Sequence, residues 1–290
     1  MGDWLQPFLH ARVRQGVARL AGMVGLRGAL RNLYRRCLAP AGGEHIVFVA
    51  GQTARFYVYS KSNIEALNSL GGERPTLEFL IGKLDPGDCV YDIGAATGLY
   101  TVLLAKAVGK EGVVVAFEPE DHTYERLREH LHLNQLTNVR AFRLALGDDE
   151  GYVSLRLGAV AGASRIVPSA ERSSASGLIE RAKVVNGDGF VESQNLRLAR
   201  AVKIDVEGYE LRVIRGLSRT LAHPKCVVVC CEVHPALMPE PETPENVLDL
   251  LRSLGFRRIE IHPRAVDFHA WAFKDPQDWA PPSSAPGGQL

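Results

Sequence analysis

The chain has 290 residues, 46% of them hydrophobic and 23% charged, with a formal net charge of +1; that is enough for one large domain with appendages and excludes a chain built as a whole to bind a polyanion. Its five cysteines, Cys37, Cys89, Cys226, Cys230 and Cys231, are odd in number and lack paired CxxC spacing, which argues against a disulfide framework and a cysteine zinc site and suits a reducing cytoplasm. No run approaches 18 uninterrupted apolar residues and the first residues lack a signal-peptide pattern, so neither secretion nor membrane spanning is expected.

Residues 1–37 hold seven arginines against one acid, Asp3, leaving 27 basic and 32 acidic residues in the rest. Leu5, Phe8, Leu9, Val13, Val17, Leu20 and Val24 recur near a 3.6 period, and Leu26, Leu30, Leu33 and Cys37 continue it, predicting two short amphipathic helices over 1–43. Packing of the apolar face on the main domain is the favoured reading. Peripheral contact of residues 1–37 with an anionic inner membrane face is the other.

Residues 44–74 form a second segment, in which 45–50 and 55–59 flank Gly51-Gln52-Thr53 and predict a hairpin. From Asp88 onward apolar strand-like runs alternate with helical ones, the signature of a doubly wound α/β sheet. Strands are expected at 89–93, 113–117, 139–144, 202–206, 227–232, 256–261 and 268–273. Helices are expected at 99–108, 122–134, 210–221 and 244–254, the last capped by Thr243 with Pro244 at its first position. Residues 158–177, rich in Ala, Ser, Gly and Arg, read as a mobile loop between the third and fourth strands. The main domain is drawn over 75–274, with 275–290 as a disordered tail.

The first strand closes on Tyr91-Asp92-Ile93-Gly94-Ala95-Ala96-Thr97-Gly98. Gly94 and Gly98 sit where backbone would approach a ligand. A dinucleotide pyrophosphate calls for GxGxxG; here the spacing is GxxxG with acidic Asp92 before it, which suits a ligand without phosphates and with a cationic amino acid end, as S-adenosylmethionine has. Twenty residues beyond Gly98, Glu118 ends the second strand and is placed to accept both ribose hydroxyls. Asp148, past the third strand, is a candidate for the adenine edge, and its Gly147–Gly151 surroundings read equally well as a solvated turn.

On the fourth strand Lys203, Asp205 and Glu207 alternate with apolar residues. Charges on a central parallel strand are costly unless paired or functional, so an active-site edge is expected, against a structural ion pair of Lys203 with Asp205. Cys230, Glu232 and His234 share a face at the end of the fifth strand. For a hydroxyl acceptor Glu207 or His234 could remove the proton. Asp205, Glu207 and Glu232 could serve a hard divalent cation, but carboxylates alone do not establish one and no metal is expected.

The blocks VYDIGAATGLYT, AFEPEDHTYERL, VKIDVEGYELRVIRGL and VVVCCEVHP, in that order over roughly residues 75–275, resemble the FkbM family of S-adenosylmethionine-dependent methyltransferases. KIDVEGxE is the most diagnostic piece. The resemblance implies a class I, Rossmann-like seven-stranded sheet, cofactor roles for Asp92, Gly94, Gly98 and Glu118, active-site roles for Asp205 and Glu207, and O-methylation of a hydroxyl on a glycan, lipid-linked or secondary-metabolite acceptor. Ala96 and His130 depart from the Asn common in the family. The alternatives are a non-catalytic cofactor-binding module, to which Ala96 points, and a nucleic acid methyltransferase, disfavoured by the acidic balance beyond residue 37 and the lack of an Asn/Asp-Pro-Pro-aromatic motif.

Overall fold

A computed structural model of the chain describes residues 43–59, 61–158, 164–167 and 179–274. The expected N-terminal helices, the C-terminal tail and most of the 158–177 segment lie outside them. The chain divides into two compact units, whose described parts are 43–45, 57–59 and 61–66 in one and 46–56, 67–158, 164–167 and 179–274 in the other. In the smaller unit the Val58 N–H donates to the Gly43 carbonyl at 3.0 Å. The main sheet and the site lie in the larger unit.

Strands β1 (Glu44–Val49) and β2 (Gln52–Tyr57) pair as a two-stranded sheet. The turn falls on Ala50-Gly51, both at positive φ, one residue earlier than the sequence suggests and of the two-residue kind whose twist matches the strands. Helices α1 (Lys61–Ser69) and α2 (Arg74–Gly82) follow, then β3 (Cys89–Ile93), α3 (Leu99–Ala107), β4 (Val113–Phe117), α4 (Asp121–Leu133) and β5 (Val139–Phe142). After them come β6 (Ala145–Gly147), β7 (Gly151–Arg156), β8 (Arg165–Val167), β9 (Ile179–Asn186), α5 (Gly187–Ser193) and β10 (Ala201–Ile204). The rest is α6 (Glu210–Gly216), α7 (Ser218–Ala222), β11 (Val228–Val233), α8 (Pro244–Ser253), β12 (Arg258–Pro263) and β13 (Phe268–Phe273).

The main sheet has seven strands in the order β12-β13-β11-β10-β3-β4-β5. From β11 to β5 the strands run parallel, while β13 is antiparallel to both β11 and β12. Alternation along each strand feeds two cores. Tyr91, Ile93, Val115, Phe117, Val202 and Ile204 enter one, with Leu211 and Ile214 of α6 and Leu251 of α8. Val90 and Val114 enter the other, with Leu77 and Leu80 of α2 and Leu103 and Leu104 of α3. A sheet buried on both faces needs such continuous apolar strands. Order reverses at β3, whose neighbours are β4 and β10, and that switch opens the crevice in which ligands of α/β sheets bind.

A second sheet, in the order β6-β9-β7-β8, is absent from the sequence reading. Its strands β7 and β9 are only partly buried and interleave Arg, Glu and Lys with Leu155, Ala182 and Val184, so their apolar signal is weak. Part of the segment expected as a loop is ordered as β8, antiparallel to β7. The expected helix over 210–221 is two, divided at Leu217. Helix α8 begins as expected, with a capping box between Thr243 and Asn246.

Helix α6 crosses β6 so closely that a Cβ on Gly216 would stand 1.8 Å from the Gly147 carbonyl oxygen. Ala normally stabilises a helix relative to Gly by about 1 kcal/mol. Here Gly216→Ala is expected to destabilise instead, by about 2 kcal/mol from overpacking, as read from the urea midpoint.

Candidate active site

A cleft opens at the carboxyl ends of β3, β4 and β10. Register aligns these ends, Ile93 opposite Phe117 on one side and Ile204 on the other. Gly94, Glu118, Asp205 and Glu207 line the cleft with apolar Phe117 and Leu144, and Ser164 and Ile166 close it from β8 and the residue before it.

Glu118 is buried, 6% exposed. Its Oε2 accepts the Ala96 N–H and its Oε1 the Glu120 N–H, both at 2.9 Å. Burial pushes its pKa up to about 8, more than the two amide hydrogen bonds pull it down. Each oxygen keeps a lone pair free, so the carboxylate lacks donors, and a vicinal diol would supply two. Apolar walls beside an acid short of donors fit a flat base joined to a ribose. On that chemistry the cleft fits an adenosine-type cofactor.

The glycine loop serves the protein's own packing as well. A Cβ on Gly94 would lie 1.7 Å from the Asp205 carbonyl oxygen, and φ there is +78°. On Gly98 it would lie 2.5 Å from Leu127 of α4, and Gly98 does not line the cleft. Ala96 holds φ +48°, a left-handed conformation that Asn tolerates better than Ala. His130 donates from Nδ1 to the Thr97 carbonyl at 2.7 Å and bonds the loop to α4; burial lowers its pKa, keeping it neutral.

Asp92 does not reach the cleft. It is fully buried, accepts the Thr101 hydroxyl at 2.5 Å, and lies 3.7 Å from Lys203 Nζ. Asp148 also turns away, onto Arg212 at 3.3 Å, because α6 brings that guanidinium against the turn after β6. Two of the five expected cofactor residues, Gly94 and Glu118, therefore line the cleft; Asp92 stands behind the loop.

Lys203 is the buried cation of the site, 6% exposed. It donates to the Gly94 carbonyl at 3.2 Å and to Asp205 Oδ2 at 3.1 Å. Burial pulls its pKa down, but Asp205 and Asp92 pull harder and leave it above the ordinary lysine range. The ion pair weighed against function for Lys203 is present, and it joins the glycine loop to Asp205.

Three predicted catalytic residues do converge. His234 Nε2 lies 3.9 Å from Asp205 Oδ1, 3.9 Å from Glu207 Oε2 and 3.7 Å from Glu232 Oε1. Glu207 sits in the turn after β10 at φ +52°, a strained position of the kind found at functional sites. Burial raises its pKa against the pull of His234. Burial would lower that of His234, but the hydrogen bond and charge of Glu210, with Asp205 and Glu207, push it up to about 9. The upward shift disfavours His234 as a proton acceptor at neutral pH and favours Glu207. Ligand atoms of Asp205, Glu207 and His234 lie within 4.8 Å of one another.

Glu210 and the partners of Glu232 escaped the sequence reading. Glu210, fully buried, bonds His234 Nδ1 at 2.7 Å; its place in KIDVEGYE was the available signal. Glu232 also meets His269 Nε2 at 3.1 Å and Arg264 at 3.2 Å, and Arg264 pairs with Glu73. Nothing local in sequence announces this second network, whose members come from four separate segments.

A doubly wound sheet that ends in an antiparallel hairpin of strands and opens beside a buried acid on its second parallel strand is the architecture of class I S-adenosylmethionine-dependent methyltransferases, and this chain is an enzyme of that class. Residues 92–258, more than half of the chain, match the Methyltransferase FkbM domain, and the chain belongs to that family. It is similar to the hexuronic acid methyltransferase AglP of Haloferax volcanii, 29% identical over 228 residues that span 78% of this chain and 85% of the relative. It is similar to methyltransferase 1 of Beauveria bassiana, 22% identical over 44% of this chain and 57% of the relative. Among solved structures, an S-adenosylmethionine-dependent O-methyltransferase from Thermotoga maritima superposes with a TM-score of 0.43 at 14% identity, over 80% of this chain and 78% of that one.

Lys203→Met would leave Asp92 and Asp205 without their cation. The expected cost at pH 8 is about 3 kcal/mol, the order for breaking a buried ion pair from one side. Burial already raises the Asp92 pKa and losing Lys203 raises it further, so protonation offsets part of the loss as pH falls and the gap to wild type narrows toward pH 5. Urea unfolding at the two pH values measures it.

Proposed function

We propose that the enzyme methylates a hydroxyl of a glycan acceptor, with sugars carrying a uronic acid as the first candidates. The observation that carries the reading is the convergence of Asp205, Glu207, Glu232 and His234 beside the cofactor cleft. Carboxylates of this kind accept hydrogen bonds from sugar hydroxyls, and the name of the Haloferax relative supports the sugar class. Family membership favours this over a non-catalytic module or a nucleic acid methyltransferase. No described helix is long and apolar enough to cross a membrane. Contact of residues 1–37 with a membrane surface has no support among the described residues.

S-adenosylmethionine supplies an electrophilic methyl group on a sulfonium. Glu118 holds the ribose diol, and the Gly94 turn, fixed by Lys203, leaves room beside it. Asp92 acts on the loop indirectly, through Thr101 and Lys203. Asp205 and Glu207 face the acceptor. Glu207, its basicity raised by burial, takes the hydroxyl proton while the acceptor oxygen bonds to the methyl carbon. Alignment supplies most of the remaining rate.

The test is incubation of the enzyme and cofactor with uronic-acid-containing oligosaccharides, followed by mass spectrometry for one added CH2. Bound cofactor product without transfer to any hydroxyl-rich sugar overturns the acceptor. Glu207→Gln is expected to lower kcat by about 10²-fold or more and to leave cofactor affinity within about twofold. For Glu118 the apo pKa near 8 means that a diol bound to the ionised form expels a proton. Calorimetry of S-adenosylhomocysteine at pH 7 in buffers of different ionisation enthalpy should find about one proton released. Glu118→Gln should abolish that release and weaken binding by about tenfold.

A further inference from the structure

Glu210 opens α6 and is fully buried. Its Oε1 accepts from the Gly208 N–H at 2.9 Å and from His234 Nδ1 at 2.7 Å, and its Oε2 has no hydrogen bond among the described residues. A carboxylate so placed is costly unless it faces a cation or a strong donor. His234 is the group that meets this need, and it therefore carries its proton on Nδ1. That bond fixes the ring plane and turns Nε2 the other way, toward the carboxylates of the acceptor end. Nε2 itself stands 3.7–3.9 Å from three carboxylate oxygens, too far for a direct hydrogen bond to any of them. The side chain that carries it is nine-tenths buried.

We infer that Glu210 is the positioning residue of a Glu210–His234 dyad, which presents a protonated Nε2 as a hydrogen-bond donor to the acceptor oxygen. This rests on the hydroxyl-acceptor reading and divides the work within it. His234 donates to the reacting oxygen and keeps its proton throughout. The hydroxyl proton passes to Glu207, the oxygen–carbon bond forms, and the carbon–sulfur bond breaks with its electron pair left on sulfur. The imidazolium steadies the negative charge that develops on oxygen as its proton departs.

Charge around the ring agrees with this geometry. Asp205 and Glu207 face it from the turn after β10, Glu210 from α6, Glu232 from β11, and Asp267 from the residue before β13. The nearest cations are already engaged, Lys203 on Asp205 at 3.1 Å and Arg264 on Glu232 at 3.2 Å. Burial pulls the His234 pKa down, and the carboxylates, led by Glu210, push it up to about 9.

The experiment is NMR titration of the histidine rings in the full-length protein, with His234→Asn to assign the signal, beside pH–rate profiles of wild type and Glu210→Gln. The glutamine keeps an oxygen that can accept from Nδ1 and removes the charge. We expect wild-type His234 to titrate near 9 with Nδ1 protonated, and kcat to fall above that pH. In Glu210→Gln the midpoint should drop by at least one pH unit, with the alkaline fall in kcat moving by the same amount. At pH 8 kcat should be lower by tenfold or more, with the KM for S-adenosylmethionine within twofold. A wild-type His234 that titrates at the ordinary histidine value overturns the dyad, and needs no variant to be folded. An unchanged midpoint and kcat in Glu210→Gln overturn it too, as does stoichiometric broadening of the His234 signal by Mn²⁺, since Nε2 would then be a metal ligand. Wild-type enzyme that binds S-adenosylhomocysteine, shows the expected titration and methylates no hydroxyl overturns the acceptor reading instead.

Discussion

The ammonium of Lys203 is the charge on which the site is assembled. It lies between Asp92 on β3 and Cys230 on β11 in the sheet register and beneath the ring of Tyr100, 4.8 Å from its centroid. From there it grips the Gly94 carbonyl and Asp205 together. One residue of a central strand thereby sets the distance between the Gly94 turn and Asp205, both of which line the cleft. In-line transfer depends on that distance, and alignment errors of an ångström are expensive. A buried ion network that held only one of the two sides would leave it to loop motion.

Beyond Lys203 the charges continue without a break. Tyr100 donates to Glu73 at 2.6 Å, Glu73 pairs with Arg264, and Arg264 reaches Glu232, which approaches His234. His269, opposite Glu232 in the β11–β13 ladder, closes the circuit onto Thr76 of α2 at 2.9 Å. Interiors accept so many ionised groups only when each is paired. The antiparallel strand β13 is what allows it, since it places His269 beside Glu232 at the end of a parallel strand.

The frame of this structure was legible because its signals are local and repeated. Strands at residues 89–93, 113–117 and 268–273 fall where the apolar runs predict, and Thr243 and Pro244 announce α8. The second sheet was not legible, since half-exposed strands with charged outer faces mimic polar loop. At the site, the types of residue were readable and their directions were not. Asp92 and Glu118 both end strands and both looked able to touch a ligand. Only packing decides that Asp92 turns inward onto Thr101 and Lys203 while Glu118 stays at the crevice. His234 was likewise visible, but its partner Glu210, 24 residues away, was not.

Strand β8 contributes three residues to the edge of the second sheet, and the hydroxyl of Ser164, just before it, reaches Glu120 at 2.8 Å. Glu120 in turn gives its N–H to Glu118. A short edge strand bound on one side has little to lose by detaching, and such units open at a small fraction of the free energy of global unfolding. Loss of that pairing would uncover the side of the cleft that Ser164 and Ile166 line, with the doubly wound sheet standing still. The hydroxyl bond to Glu120 sits two residues from Glu118, so the surroundings of that buried acid and the hold of this edge strand are properties of one short stretch of chain.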